Sequence, residues 1–311
     1  MTCSQWLSAR AVMTGPDLRR VAGCALIVLA VAACQRAPAN QGQVHVVVSL
    51  YPLYDFALHI AGDRARVTLL VPPGVEPHDW EPAPADIVQV QSARVFAYNG
   101  AGVDPWAEKL LGEIRHGGVR VVKATAGLDL LTTEGQADPH VWLDPLLARA
   151  EVEAIRAALV AVDPAHAPIY DRNAAEFSSQ LLALHERFAA GLARCEQHEI
   201  VVSHAAFAYL ARRYRLTQLP IIESLSPDAE PSPAALAALT RQARRARVTH
   251  VFFETLVAPK LADVLAREVG AKALVLNPVE GLTKEQDAQG RTYVQLMDAN
   301  LANLRTALGC R

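Results

Sequence analysis

The chain has 311 residues, 51% of them hydrophobic and 20% charged, with a formal net charge of −2. That length and apolar fraction exclude a disordered chain, exceed what one small core needs, and favour two lobes. The near-neutral balance, with no Lys/Arg run of the kind that tracks phosphates, argues against nucleic acid as a partner.

Near the N-terminus, Arg19 and Arg20 precede an uncharged apolar run from Val21 to Ala33, followed by Cys34. Such a run is short for a bilayer span but suits the apolar region of a signal peptide. The order Val31, Ala32, Ala33, Cys34 is that of a bacterial lipobox. Residues 1–33 are therefore expected to be a cleaved lipoprotein leader, with lipid on Cys34. An ordinary secretory leader with an incidental cysteine is the alternative, and Met13 is an alternative start. Cleavage removes Arg10, Asp17, Arg19 and Arg20 and leaves a net charge near −4. The expected location is the bacterial cell envelope, on its periplasmic or extracellular face, with a lipid anchor in the membrane. Of the five cysteines, Cys3 and Cys24 fall in the leader and Cys34 is the expected lipid site, which leaves Cys195 and Cys310. An even remainder in an exported chain suggests a disulfide, two unpaired buried thiols being the alternative. Neither has a CxxC neighbour that would suggest metal ligation.

Residues 34–43 are polar and contain proline, as a tether would. Short β-branched runs at 44–50, 66–71, 94–100 and 120–124 then alternate with amphipathic stretches at 83–93 and 105–114. A second set of runs lies at 199–204, 218–224, 249–255 and 273–278, with a helical pattern at 232–246. Strand and helix in alternation predict a parallel sheet in each half. Between the sets, residues 167–195 keep apolar positions at helical spacing with no internal Pro or Gly until Gly191. They predict one helix of about 25 residues, roughly 35–40 Å long. The expected fold is α/β, two parallel-sheet (β/α) lobes (44–166 and 195–311) joined by one long rigid helix (167–194), with a metal site in the interlobe cleft. The two lobes echo each other in element order, and a helical connector should limit their relative motion.

In open parallel sheets ligands bind beyond the carboxyl ends of the strands. Four polar residues follow predicted strand ends: His78 in EPHDWEP, His140 in ADPHVWLDP, His204 directly after EIVVS, and Glu280 after ALVLNPV. Each has a plainer reading. His78 and His140 could be exposed residues of stiff proline turns, His204 the first residue of a packed helix, and Glu280 a solvated turn carboxylate. Two from each half, all at strand ends, argue for one shared metal site. The other histidines (His45, His59, His116, His166, His185, His198, His250) read as structural or exposed.

From about residue 44 to 310 the chain resembles the solute-binding lipoproteins of zinc and manganese ABC transporters, in their zinc-type branch. The motifs are PPGVEPHDWEP, DPHVWLDP, VVSHAAFAYLARRY, LSPDAEPSP, VFFETLVAPKLADVLAREVGAKALVLNPVEGLT and YVQLMDANLANLRTAL. The resemblance implies that His78, His140 and His204 stand at the family's three histidine positions. It implies that Glu280 stands where the zinc-type branch has glutamate, and that Cys195 and Cys310 pair as the family's disulfide. It further implies a monomeric receptor that captures Zn(II) and delivers it to an ABC permease driven by its own ATPase; no Walker A motif occurs in this chain. Two points depart from the pattern. The stretch LDLLTTEGQ lacks the histidines of the metal-collecting loop often found there, and Glu254 and Asp287 are nearby carboxylates that compete with Glu280 for the fourth place.

Three imidazoles and one carboxylate suit four-coordinate zinc, whereas manganese favours more oxygen donors and higher coordination numbers, although copper and nickel also bind nitrogen sites tightly. A manganese receptor is the near alternative. A zinc metallohydrolase would need an open coordination position, and neither HExxH nor GxSxG occurs. An enzyme is therefore not expected. A surface adhesin is the third class, with no motif that identifies its partner.

Overall fold

The computed structural model describes residues 43–114, 118–133, 135–227, 231–258 and 260–311. The expected leader, Cys34, the tether up to residue 42 and His116 lie outside the described residues. In chain order the elements of the first lobe are β1 (Val44–Val48), α1 (Tyr51–Ala61), β2 (Ala65–Leu69), α2 (Pro84–Ser92), β3 (Val95–Tyr98), α3 (Pro105–Ile114) and β4 (Arg120–Lys123). A small hairpin, β5 (Thr132–Thr133) and β6 (Gln136–Ala137), leads to two long helices, α4 (Pro145–Val162) and α5 (Ala167–Gly191). The second lobe holds β7 (Glu199–His204), α6 (Ala208–Tyr214), β8 (Thr217–Ile222), α7 (Pro233–Arg245), β9 (His250–Phe253), α8 (Lys260–Val269) and β10 (Lys272–Val275). Two last helices, α9 (Lys284–Ala288) and α10 (Tyr293–Leu308), close the chain.

Both four-stranded sheets are parallel, and they share one strand order: β2-β1-β3-β4 and β8-β7-β9-β10. The likeness of the lobes thus extends from element order to topology. In each sheet the chain first adds a strand on one side and then crosses to the other, so a crevice opens between β1 and β3 and between β7 and β9. Beyond the carboxyl ends of such strands is where this architecture places ligands. His204 is the last residue of β7 and Glu254 follows the last residue of β9.

Side-chain alternation tells where the core lies. Along β1, Val46 and Val48 enter a large apolar cluster that also takes Ile200 and Val202 of β7. Their neighbours point the other way: Val47 joins Leu70, Val90, Phe96 and Trp106 under α2 and α3, and Val201 joins Leu219, Leu239 and Leu265 under α7 and α8. A strand exposes successive side chains on opposite faces. Each sheet therefore has one private face and one face in a core common to both lobes.

The helix α5 runs through that common core. Tyr170, Ala174, Phe177, Leu181, Leu184 and Phe188 form its buried stripe, at steps of three and four residues. Phe177 meets Phe56 of α1 with ring centroids 5.7 Å apart, and Phe188 stacks on Tyr214 of α6 at 5.1 Å. One helix thus packs on both lobes. It ends at Gly191, three residues before the expected limit at 194, where α10 lies so close that a Cβ would come within 3.1 Å of Leu301 Cδ1. Just beyond, the disulfide Cys195–Cys310 ties the exit of α5 to the end of α10. Among the described residues no helix is long and apolar enough to cross a membrane.

Candidate metal centre

The segment around His140 explains its two Asp-Pro pairs. Asp138 Oδ1 accepts from both the backbone N–H (3.0 Å) and Nδ1 (2.8 Å) of His140, so the aspartate two residues upstream orients the ring. At the other end Asp144 caps α4 by accepting from the Leu146 N–H, with Pro145 in the first turn of the helix, and it pairs with Arg213 at 2.7 Å. Between them Trp142 is fully buried; its ring lies edge-on to His140 at 5.4 Å and its Nε1–H donates to the carbonyl of Pro278 at 2.7 Å. From the first lobe, Asn99 at the end of β3 donates to the carbonyl of Pro139 at 3.1 Å. Asp138 and Trp142 hold the ring itself, and Asp144 and Asn99 brace the segment that carries it.

His204 is held in the same manner by a residue far away in sequence. Glu254 Oε1 accepts from its Nδ1 at 2.7 Å and faces its backbone N–H at 3.3 Å. In both histidines the Nδ1 edge is thus committed to a carboxylate, which directs Nε2 to the cleft. His78 lies in a three-residue 3-10 turn, Pro77–Asp79, whose preceding Glu76 accepts from the His78 N–H at 3.3 Å.

All four predicted residues meet. One donor atom from each of His78, His140, His204 and Glu280 lies within 4.8 Å of every other, and no other such cluster of three or more His, Cys, Asp or Glu occurs among the described residues. Glu280 Oε1 stands 2.9 Å from His140 Nε2 and 3.6 Å from Nε2 of both His78 and His204; the His140 and His204 Nε2 atoms are 3.5 Å apart. No donor is aligned to either oxygen of Glu280, although the carboxylate is 1% exposed. Geometry sets Glu254 and Asp287 apart from the cluster. Glu254 faces the Nδ1 edge of His204, and Asp287 is exposed on α9 outside the cluster.

The loop carrying Glu280 is fixed by backbone contacts. The Glu280 carbonyl accepts from the Tyr51 N–H at 3.3 Å, and the Leu282 carbonyl accepts from the Gly74 N–H at 2.7 Å, so this second-lobe loop docks beside the turn of His78. Gly281 eases that approach: a Cβ there would press on Leu256 Cδ1 at 3.0 Å and touch the Val75 carbonyl at 3.6 Å.

Electrostatics follow from burial. Burial pushes the Glu280 carboxyl up, but His78, His140 and His204 outweigh it and hold the group well below the usual carboxylate range. For His140, burial is outweighed by Asp138 and Glu280, which raise the imidazole above its ordinary value; Glu254 and Glu280 raise His204 further. Burial and the nearby Glu280 charge push Glu76 up to about 9, so it sits neutral beside the site at pH 7. Three imidazole edges and an anion converging on one point form a site for positive charge. A mouth of ≈470 Å³, lined by His78, Gln136, Pro139 and Ser224 among others, connects it to solvent.

The comparisons agree with the geometry. Residues 46–307 match the family described as ZnuA, zinc-uptake complex component A, periplasmic. The chain belongs to that family. Among ZnuA relatives, the high-affinity zinc uptake system protein ZnuA of Bacillus subtilis is 39% identical over 312 residues, covering 93% of this chain and 96% of that protein. The zinc-binding lipoprotein AdcA of Streptococcus pneumoniae is 38% identical over 91% of this chain, and this chain spans only 58% of its length. The solved Zn(II)-bound ZnuA-like domain of AdcA superposes with a TM-score of 0.77 at 39% identity, covering 86% of this chain and 99% of that domain. The ZnuA family is one of metal-transport components, so the expectation of a non-enzyme stands.

Sequence reasoning missed the supporting shell. Asp138 is adjacent enough to His140 for the spacing D-P-H to have announced it. Glu254 reads from sequence as a competing ligand, and its place behind His204 depends on β9 lying beside β7.

Proposed function

We propose that this chain is an extracytoplasmic receptor that captures Zn(II) with His78, His140, His204 and Glu280 and delivers it to an ABC permease powered by a partner ATPase. The observation that carries the reading is the convergence of the Nε2 atoms of three imidazoles on one buried carboxylate, Glu280, with two of the rings oriented by other carboxylates on their opposite edge. Tetrahedral zinc with bonds of about 2.0–2.1 Å needs donors roughly 3.3 Å apart. The separations of 2.9–3.6 Å between Glu280 Oε1 and the imidazoles are near that, and the remaining donor pairs, within 4.8 Å, close in on the ion by side-chain shifts. Zinc names in the relatives support the same cargo.

With a divalent ion, three neutral imidazoles and Glu280 leave one positive charge, and Asp138 and Glu254 lie behind two of the rings to offset it. Zinc approaches through the mouth, exchanges water for His78, and completes its coordination on the buried donors. The oxygen-poor set disfavours manganese. The anchor is the lipid on Cys34, the working form is a monomer, and docking on the permease uses the loaded molecule. Metal-stripped protein offered equal free Zn²⁺ and Mn²⁺ tests the reading by elemental analysis. One zinc per chain, lost in His140→Ala, supports it; manganese in the site, or no metal, refutes it.

A further inference from the structure

The loop before Glu280 gathers unfavourable local features in four residues. Val279 is β-branched yet has φ 61°, a region such residues rarely adopt. Asn277 is buried with its Nδ2 unpartnered. Strain and an unmet polar group concentrate where surrounding structure enforces a geometry that function uses. Here the enforcing contacts come from α10 and Trp142. Asn300 of α10 brackets the backbone of Asn277, accepting from its N–H at 2.8 Å and donating to its carbonyl at 2.7 Å. The Asn277 side chain then accepts from the Val279 N–H at 2.7 Å, closing the turn that holds Val279 left-handed, and Trp142 takes the Pro278 carbonyl between them. At the end of this braced turn Glu280 brings Oε1 to 2.9–3.6 Å of all three imidazoles.

We propose that Asn300 is a positioning residue for Glu280. Acting through Asn277, it fixes the carboxylate with Oε1 toward the three imidazoles and so sets the preference of the site for a four-coordinate ion over one that demands more oxygen. The inference rests on the reading of Glu280 as a ligand. A carboxylate freed to turn offers both oxygens, the change that hard, higher-coordinate ions such as Mn(II) need.

Asn303, one turn further along α10, supplies an internal control, because it donates to the Val275 carbonyl at the end of β10 at 2.8 Å and makes no bond to the Glu280 loop. The experiment uses the full chain in detergent and compares wild type, Asn300→Ala and Asn303→Ala. Zn(II) and Mn(II) affinities are measured by competition, with the visible absorption of the Co(II)-loaded protein as a reporter of coordination number. Asn300→Ala should weaken zinc by about 10–100-fold, narrow the zinc-to-manganese ratio, and dim the intense four-coordinate Co(II) bands. Asn303→Ala should lose thermal stability alone. A second variant, Val279→Gly, accepts the left-handed geometry without strain and loosens the turn, and should shift the ratio and the spectrum in the same direction. If Asn300→Ala does not fold, Val279→Gly decides. Wild-type zinc binding with ratio and spectrum unchanged in Asn300→Ala, or in Val279→Gly where that variant decides, would overturn the positioning role and leave the receptor intact. Failure of the wild type itself to bind zinc would remove both.

Discussion

The two sides of the donor set are built differently. His140 and His204 are fully buried, and each has a carboxylate behind its Nδ1 edge. His78 is half-buried on a three-residue turn and lines the mouth. The contrast separates a preorganised floor, which fixes geometry before the ion arrives, from a donor at the mouth, its side chain 7% exposed, that makes the first contact and the last. Preorganised donors lose little freedom on binding, so the floor should dominate affinity.

The sharpest way to break this comparison is to remove one member from each side. His140→Ala should abolish stoichiometric zinc binding in equilibrium dialysis, whereas His78→Ala should retain a weaker site with faster dissociation in stopped-flow chelator exchange. Equal losses, or a slower off-rate in His78→Ala, would erase the distinction.

A smaller effect is expected one layer out. Glu254→Gln still accepts from His204 but removes a charge, and should weaken zinc by about 10–100-fold. Isothermal titration checks it, and an unchanged affinity would mean that Glu254 only packs.

Acidity should act through the floor. Raised His140 and His204 imidazoles hold protons that zinc must displace, so affinity is lowest below their pKa values and climbs as pH rises through them. Each displaced proton changes affinity by about tenfold per pH unit. Proton release on zinc addition, read as the dependence of titration heat on buffer ionisation enthalpy, measures the number directly; zero release near neutral pH would contradict the raised imidazoles.

The smallest effect on binding belongs to the disulfide, at the exit of α5 and the C-terminal end of α10. Cys195→Ser with Cys310→Ser should cost about 4–5 kcal/mol of stability in the chain-entropy picture for so long a loop. Zinc affinity measured below the lowered melting temperature should stay close to wild type. A large affinity loss there would show that α10 transmits strain to the Glu280 loop.

How much of this was legible in the sequence depended on range. All eight strands of the two large sheets lie at the β-branched runs, because short apolar runs between helical patterns have few other ways to be buried, and α5 follows from its apolar stripe. The four donors were legible because strand ends are where a parallel sheet exposes functional groups. The β5–β6 hairpin was not, since two residues a side carry no periodicity. For α4 a signal existed in Asp144-Pro145, a cap followed by a first-turn proline. Asn300 bracketing Asn277 depends on α10 crossing the end of β10, which no local pattern encodes.

The alternation along the central strands also divides the chain by how far a substitution is felt. A change at Val47 or Val201 stays within the cluster under its own pair of helices. One position along, Val48 and Val202 belong to packing that both lobes share, and Val202 stands two residues before His204, on the same face of β7. Substitutions along β1 and β7 should therefore differ with period two in what they disturb: at Val47 and Val201 the packing of one lobe, and in the other register the shared core beneath the ion.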